Sequence, residues 1–220
     1  MTELTEFLRD VLGHEAKDIG LFERALAHSS STRESYERLE FLGDRVLGLV
    51  IAGWLYELFP SEAEGKLSRR YNVLVARETC GEVGRELGLP ALIRLGKQAR
   101  EDGANWSDNV VGDVVEALVG ALFLDAGLDA AAAFVRRAWA TYVQSQDRAP
   151  KHPKSALQEL AAARDWATPT YELASRTGTH HAPRFTVRVE IAKVGEASAE
   201  GSSKQEAETG AAKALLDQLQ

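Results

Sequence analysis

Glu37-Arg38-Leu39-Glu40-Phe41-Leu42-Gly43-Asp44-Arg45-Val46-Leu47-Gly48-Leu49-Val50 is the stretch on which the fold turns. Its apolar positions Leu39, Leu42, Val46, Leu49 and Val50 recur at three- and four-residue spacing, which predicts a helix with one face in a core. The acidic positions have their own regularity. At about 100° per residue, Glu37, Glu40 and Asp44 fall within roughly a 60° arc. Three like charges on one face repel each other, so this face calls for a neutralising partner.

A second acidic set lies far along the chain. Asp113 and Glu116 interrupt Val110-Val111-Gly112-Asp113-Val114-Val115-Glu116-Ala117-Leu118-Val119-Gly120-Ala121, which is apolar at nearly every other position. No lysine or arginine interleaves them, so no local ion pair explains them. An unpaired buried carboxylate is costly, and a divalent cation shared by the two sets would offset the cost. All-oxygen donors select a hard ion, Mg²⁺ or Mn²⁺. None of the five histidines (His14, His28, His152, His180, His181) is near either set in sequence, which disfavours zinc and a Glu-x-x-His di-iron centre. A carboxylate-held Mg²⁺ most often serves phosphate-ester chemistry.

Outward from these stretches, residues 1–144 read as helical almost throughout, with Leu4, Phe7, Leu8 and Val11 repeating the helical spacing. Helices are expected over about Val110–Leu124 and about Asp129–Gln144, the latter with Asp129 as N-cap, and no sheet is needed. Residues 145–152, polar and proline-containing, read as a linker. Residues 153–220 change texture. Helices are expected over Lys154–Arg164 and Ser203–Gln220, and strands over Tyr171–Arg176, Arg184–Ala192 and Glu196–Glu200. Phe185, Val187, Val189 and Ile191 alternate with polar neighbours as in a half-buried strand. The expectation is a multidomain chain, an all-α domain followed by an α-β-β-β-α domain.

The 220 residues allow one or two domains, and 45% hydrophobic with 27% charged residues is ordinary globular composition. The longest uncharged apolar run, Val46–Tyr56, is too short to cross a membrane. The N-terminus reads as free of a secretory signal. One cysteine, Cys80, excludes both an internal disulfide and a CxxC zinc site, and suits a reducing cytoplasm. The net charge of −7 argues against a polyanionic partner. Its distribution answers that objection. Residues 1–150 carry 17 Lys+Arg against 24 Asp+Glu, and setting aside Glu37, Glu40, Asp44, Glu64, Asp113 and Glu116 takes that balance from −7 to −1. The negative charge is concentrated where cations would sit.

The run Glu37–Leu47 resembles the signature of the ribonuclease III family. Gly112–Ala121 resembles its second motif, Ala25-Leu26-Ala27-His28-Ser29-Ser30 the segment before the signature, and Glu64-Gly65-Lys66-Leu67-Ser68 a third acidic motif. The resemblance implies that Glu40, Asp44, Asp113 and Glu116 are metal ligands. It implies that Glu37 and Glu64 are outer acidic residues approaching the RNA backbone, so that Asp44, Glu116, Glu37 and Glu64 carry catalysis. It places Phe41 at a homodimer contact. His28 reads as a structural, hydrogen-bonded histidine. Lys66 departs from the family, which usually has an acidic residue there, and Asn105-Trp106-Ser107-Asp108-Asn109 lacks a basic residue often found before the second motif.

The later unit resembles the double-stranded RNA-binding domain. The residues that carry this likeness are Pro153–Leu160, His181–Phe185, Gly201–Glu208 and Ala211-Ala212. A-form RNA exposes 2′-hydroxyls in a shallow minor groove, which Ser155, Gln158 and Glu159 on a first helix and His181 on a loop can reach. Lys204, at the start of the last helix, would face phosphate together with the helix dipole. Lys204-Gln205 stands where the family often has two lysines. The implied activity is Mg²⁺-dependent cleavage of double-stranded RNA to 5′-phosphate products with short 3′ overhangs, acting on ribosomal RNA precursors and structured transcripts. No organic cofactor is expected. The alternative is a non-catalytic binder of structured double-stranded RNA with the same architecture.

Overall fold

The computed structural model describes residues 3–146, 152–179 and 182–219. The chain divides into two units, Met1–Pro150 and Lys151–Gln220, each with its own hydrophobic core. Residues 147–151 of the expected linker lie outside the described residues.

The first unit is helical: α1 (Glu3–Phe7) with a following π-helical turn, α2 (Ile19–Ala25), α3 (Glu37–Leu58), α4 (Glu64–Leu74), α5 (Arg77–Glu86), α6 (Lys97–Glu101), α7 (Asp108–Ala126), α8 (Leu128–Ala138) and α9 (Ala140–Gln144). Among the described residues its β contact outside named strands is one isolated parallel bridge, Ala27 to Arg94. α7 is the axis. Ser107 caps it, its side chain accepting from the Val110 N–H at 3.3 Å. Val111, Val114, Val115, Leu118 and Val119 are fully buried, as expected of a helix apolar all round.

α3 crosses α7 at a pair of glycines. A Cβ on Gly43 would stand 1.7 Å from the Glu116 carbonyl oxygen, and one on Gly120 would stand 2.3 Å from the Leu39 carbonyl oxygen. The two backbones therefore touch, which no other residue type allows. That contact sets Glu40 and Asp44 of α3 beside Asp113 and Glu116 of α7.

Three polar anchors fix the surroundings. Asp125 near the end of α7 accepts from the Lys17 and Asp18 backbone N–H groups at 2.9 Å each and pairs with His14 Nε2 at 2.6 Å. Burial alone would raise its pKa, but these hydrogen bonds outweigh it and hold Asp125 below the usual carboxylate range. Arg70, almost fully buried, grips Glu62 with Nε and Nη2 at 2.8 and 2.9 Å and lies over the Phe59 ring. Buried Trp139 donates its indole N–H to the Leu74 carbonyl at 2.8 Å. This contact coincides with a break in the helix expected over residues 129–144: α8 stops at Ala138 and α9 begins at Ala140. Gly127, not Asp129, takes the N-cap position of α8, and Asp129 sits in the first turn.

The second unit runs α10 (Pro153–Ala163), β1 (Thr170–Thr179), β2 (Ala182–Ile191), β3 (Gly195–Gly201), α11 (Lys204–Leu219). The three strands form an antiparallel sheet in order β1-β2-β3. Val189 and Ile191 face Leu157, Ala161, Ala211, Ala212 and Leu215 from the two helices. β1 is longer than its sequence pattern suggests. An irregularity between Leu173 and Ser175 shifts the register there and interrupts the alternation from which strands are read.

Candidate active site

Glu40, Asp44, Asp113 and Glu116 line a single cavity of about 310 Å³, together with Arg45, Val75, Arg77 and Gly112. Four residues separated by up to 76 positions thus share one concavity because α3 and α7 cross at Gly43 and Gly120. The lining is mostly charged, with three helices contributing.

The electrostatics follow from burial of like charges. Burial pushes the Glu116 carboxyl up, and Asp44, Glu40 and Asp113 add to it, so that it titrates at about 8. Glu40 is raised by burial and then by Asp113, Glu37 and Asp44. Asp113 is raised by burial, against the opposing hydrogen bond from Tyr36. Such carboxylates take either a proton or a cation. The all-oxygen donor set fits a hard divalent ion.

The carboxylates share the cavity without closing on one point. Among the described residues no three His, Cys, Asp or Glu side chains are gathered as a ready coordination shell. Two of the four are turned to other partners. Arg45 Nη1 donates to Asp44 Oδ2 at 2.6 Å, and the Tyr36 hydroxyl donates to Asp113 Oδ2 at 3.1 Å. Tyr36 is buried, and its ring stands 5.7 Å from that of His28. His28 Nδ1 meets the Ser30 hydroxyl at 2.8 Å and accepts the Ser30 backbone N–H at 3.0 Å, the arrangement of a structural histidine.

The outer acidic pair lies away from the cavity lining. Glu37 is exposed on the first turn of α3, where its charge reaches Glu40. Glu64 is the first residue of α4 and accepts from the Ser68 hydroxyl at 2.6 Å. Lys66 is exposed in the same turn. Phe41 is 64% exposed rather than a core residue, and the Arg45 guanidinium covers its ring at 4.2 Å. Leu49 and Tyr56 on the same helix are 61% and 75% exposed, so Phe41, Leu49 and Tyr56 form an apolar stripe on its outward side. Tyr36, Arg45 and Arg77 are the site residues that sequence reasoning missed. Tyr36 reads as a core aromatic, Arg45 as one charge inside a motif, and Arg77 arrives from a different helix.

On the second unit, Ser155, Gln158 and Glu159 are exposed on α10, whose other side buries Leu157 and Ala161. His181 lies outside the described residues. The start of α11 differs from the expectation of a bare positive end. The Glu206 carboxylate turns back to accept the Ser202 N–H at 2.7 Å and its hydroxyl at 2.6 Å, while Ser203 Oγ accepts the Glu206 N–H at 3.1 Å. This reciprocal cap already sets an anion at the helix start. Lys204 lies 3.8 Å from Glu208, which also binds Lys154 at 2.5 Å. The positive charge of Lys204 and of the helix end is therefore partly neutralised within the unit itself.

Helices bring four carboxylates to one cavity, and an α-β-β-β-α module follows them along the chain. Comparison with known proteins finds a counterpart for each. Residues 18–142 match the family described as Ribonuclease-III-like, and residues 153–219 match the double-stranded RNA binding motif. Ribonuclease 3 of Zymomonas mobilis is 62% identical over 208 residues, 94% of this chain and 85% of that one. Ribonuclease 3 of Rhodobacter capsulatus is 43% identical over 221 residues, 99% and 96% of the two chains. Among solved structures, the nuclease domain of the Campylobacter jejuni ribonuclease III superposes with a TM-score of 0.60 at 30% identity, covering 68% of this chain and 100% of that one. A second structure of that domain, with a TM-score of 0.59 at 34% identity over 60% of this chain and 94% of that one, is described as flexible in a region involved in dimer formation. The chain belongs to the ribonuclease III family of endoribonucleases.

Proposed function

We propose that the chain is a homodimeric, divalent-cation-dependent endoribonuclease that cuts double-stranded RNA in the cytoplasm. It leaves 5′-phosphate ends and short 3′ overhangs, with ribosomal RNA precursors and structured transcripts as substrates. The observation that carries the reading is the convergence of Glu40, Asp44, Asp113 and Glu116 on one cavity. In this reading those four hold the ion, Mg²⁺ or in its place Mn²⁺, which when bound supplies Lewis-acid activation of water and of the scissile phosphate.

The chain's own residues do the rest. Tyr36 fixes the Asp113 carboxylate by its 3.1 Å hydrogen bond. Glu116, with its high proton affinity, gives up a proton when a cation enters. Arg45 and Arg77 supply positive charge at the cavity toward the phosphate. Glu37 and Glu64 act from outside it, along the RNA backbone. Ser155, Gln158, Glu159, His181 and Lys204 read the duplex by shape. Phe41, with Leu49 and Tyr56, meets a second copy. The exposed apolar stripe supports that pairing, since a lone domain would leave it in water.

A gel assay on end-labelled double-stranded RNA tests the reading. The native chain should give discrete products with Mg²⁺ and none with EDTA. Glu116→Gln should lose cleavage by about a hundredfold or more while binding the same RNA. Full cleavage by Glu116→Gln would remove that residue from the ion site. Intact but shifted RNA from the native chain under both conditions would favour a binding module.

A further inference from the structure

We propose that Arg45 is the resident counter-cation of the carboxylate cavity, and that it exchanges Asp44 for an RNA phosphate when a divalent ion enters. The proposal rests on the reading of that cavity as a cation site and names the group the ion must displace.

Arg45 lines the same cavity as the four carboxylates. Among the described residues it is the one cation in ion-pair contact with any of them, at 2.6 Å from Asp44 Oδ2. The same nitrogen donates to the Phe41 carbonyl oxygen at 3.2 Å, and the guanidinium lies over the Phe41 ring. Its charge also acts on Glu40 and Glu116. Arg45 thus sits where a cation relieves the repulsion among Glu40, Asp44 and Glu116, while Arg77 and His28 act on Asp113.

A divalent ion on Asp44 competes with the guanidinium for the same carboxylate charge, because two cations that close repel. Ion entry therefore weakens the hold of Arg45 on Asp44 and favours its exchange to another anion. The Arg45 side chain is 60% exposed, so it can leave without unpacking the core. Its planar, five-donor fork matches a phosphate, and a phosphodiester must come to this cavity to be cut. The released arginine becomes an RNA contact at the place where Asp44 became an ion ligand.

Two measurements on the full chain test this, using Arg45→Gln with Arg45→Lys as the conservative variant. Calorimetric titration with Mn²⁺ in the absence of RNA should show Arg45→Gln binding the ion about two- to fivefold more tightly than the native chain. Binding of a short RNA duplex in Ca²⁺, with intact duplex recovered on a gel, should weaken several-fold. The slope of log affinity against log salt should fall by about one. Arg45→Lys should lie between native and glutamine in both. A merely structural role would weaken both or neither, so the opposite signs are the signature. Unchanged or weaker Mn²⁺ binding by Arg45→Gln overturns the proposal, as does an unchanged salt slope. If the native chain takes up no Mn²⁺, the cation-site reading itself falls; if it does and Arg45→Gln binds no tighter, only the assignment of Arg45 falls.

Discussion

Glu116 is the residue at which burial and charge conflict most strongly. Its native pKa of about 8 stands against 4.5 for an unhindered glutamate, because it is buried beside Asp44, Glu40 and Asp113. Between those values the folded chain holds a proton that the unfolded chain has released. The contribution of Glu116 to the stability of the metal-free protein is therefore fully present below about pH 4.5 and is lost as pH rises through about 8. Glu40 and Asp113, also raised, act in the same sense. In EDTA, the melting temperature of the native chain should fall between pH 5 and pH 8.5 more than that of Glu116→Gln, by roughly 8–15 °C. Equal slopes in a thermal melt series would contradict the burial argument. A bound cation supplies the charge that the proton otherwise supplies, so ion affinity should rise over the same range.

At the scale of elements, the crossing of α3 and α7 makes the site. Gly43 and Gly120 let two backbones meet, which brings Glu40 and Asp44, flanking Gly43, beside Asp113 and Glu116 on α7. An alanine at position 43 would put its Cβ inside the Glu116 carbonyl, so the helices would have to part. Gly43→Ala should cost about 3 kcal/mol or more and lower the melting temperature by about 6–12 °C, with cleavage reduced alongside. A native melting temperature and native activity in that variant would show that the crossing is looser than this.

Much of this was legible in advance, because helix periodicity is local. The arc of Glu37, Glu40 and Asp44, the buried Asp113 and Glu116, and the α-β-β-β-α order of the second unit all follow from spacing along the chain. What was not legible is tertiary. Gly43 and Gly120 carry no sign of their partner, Tyr36 looks like any buried aromatic until its hydroxyl is found at Asp113, and Arg77 comes from α5. The Glu206 cap was written in the sequence as Ser203 followed three residues later by Glu206. It competes with Lys204 for the reading of that helix start. The ends of β1 were hidden by the irregularity at Leu173–Ser175.

At the scale of the whole molecule, two separate cores mean two units, each packed on its own. The second unit carries 9 Lys+Arg against 9 Asp+Glu, and Glu206 and Glu208 draw on its helix-start charge. Its grip on a polyanion should be weak and salt-sensitive. Deleting residues 146–220 should leave low-salt cleavage by the first unit and weaken RNA binding at physiological salt by tenfold or more, read by gel shift and cleavage side by side. Unchanged binding at physiological salt would mean that the RNA is read elsewhere.

The central claim is that Glu40, Asp44, Asp113 and Glu116 form one divalent-cation site. Anomalous diffraction from crystals of the full chain grown in Mn²⁺ tests it most directly. A Mn²⁺ peak is expected inside the cavity between α3 and α7, within about 2.0–2.4 Å of carboxylate oxygens from both helices, with Arg45 turned away from Asp44. A peak elsewhere, or a cavity without one at millimolar Mn²⁺, would contradict it.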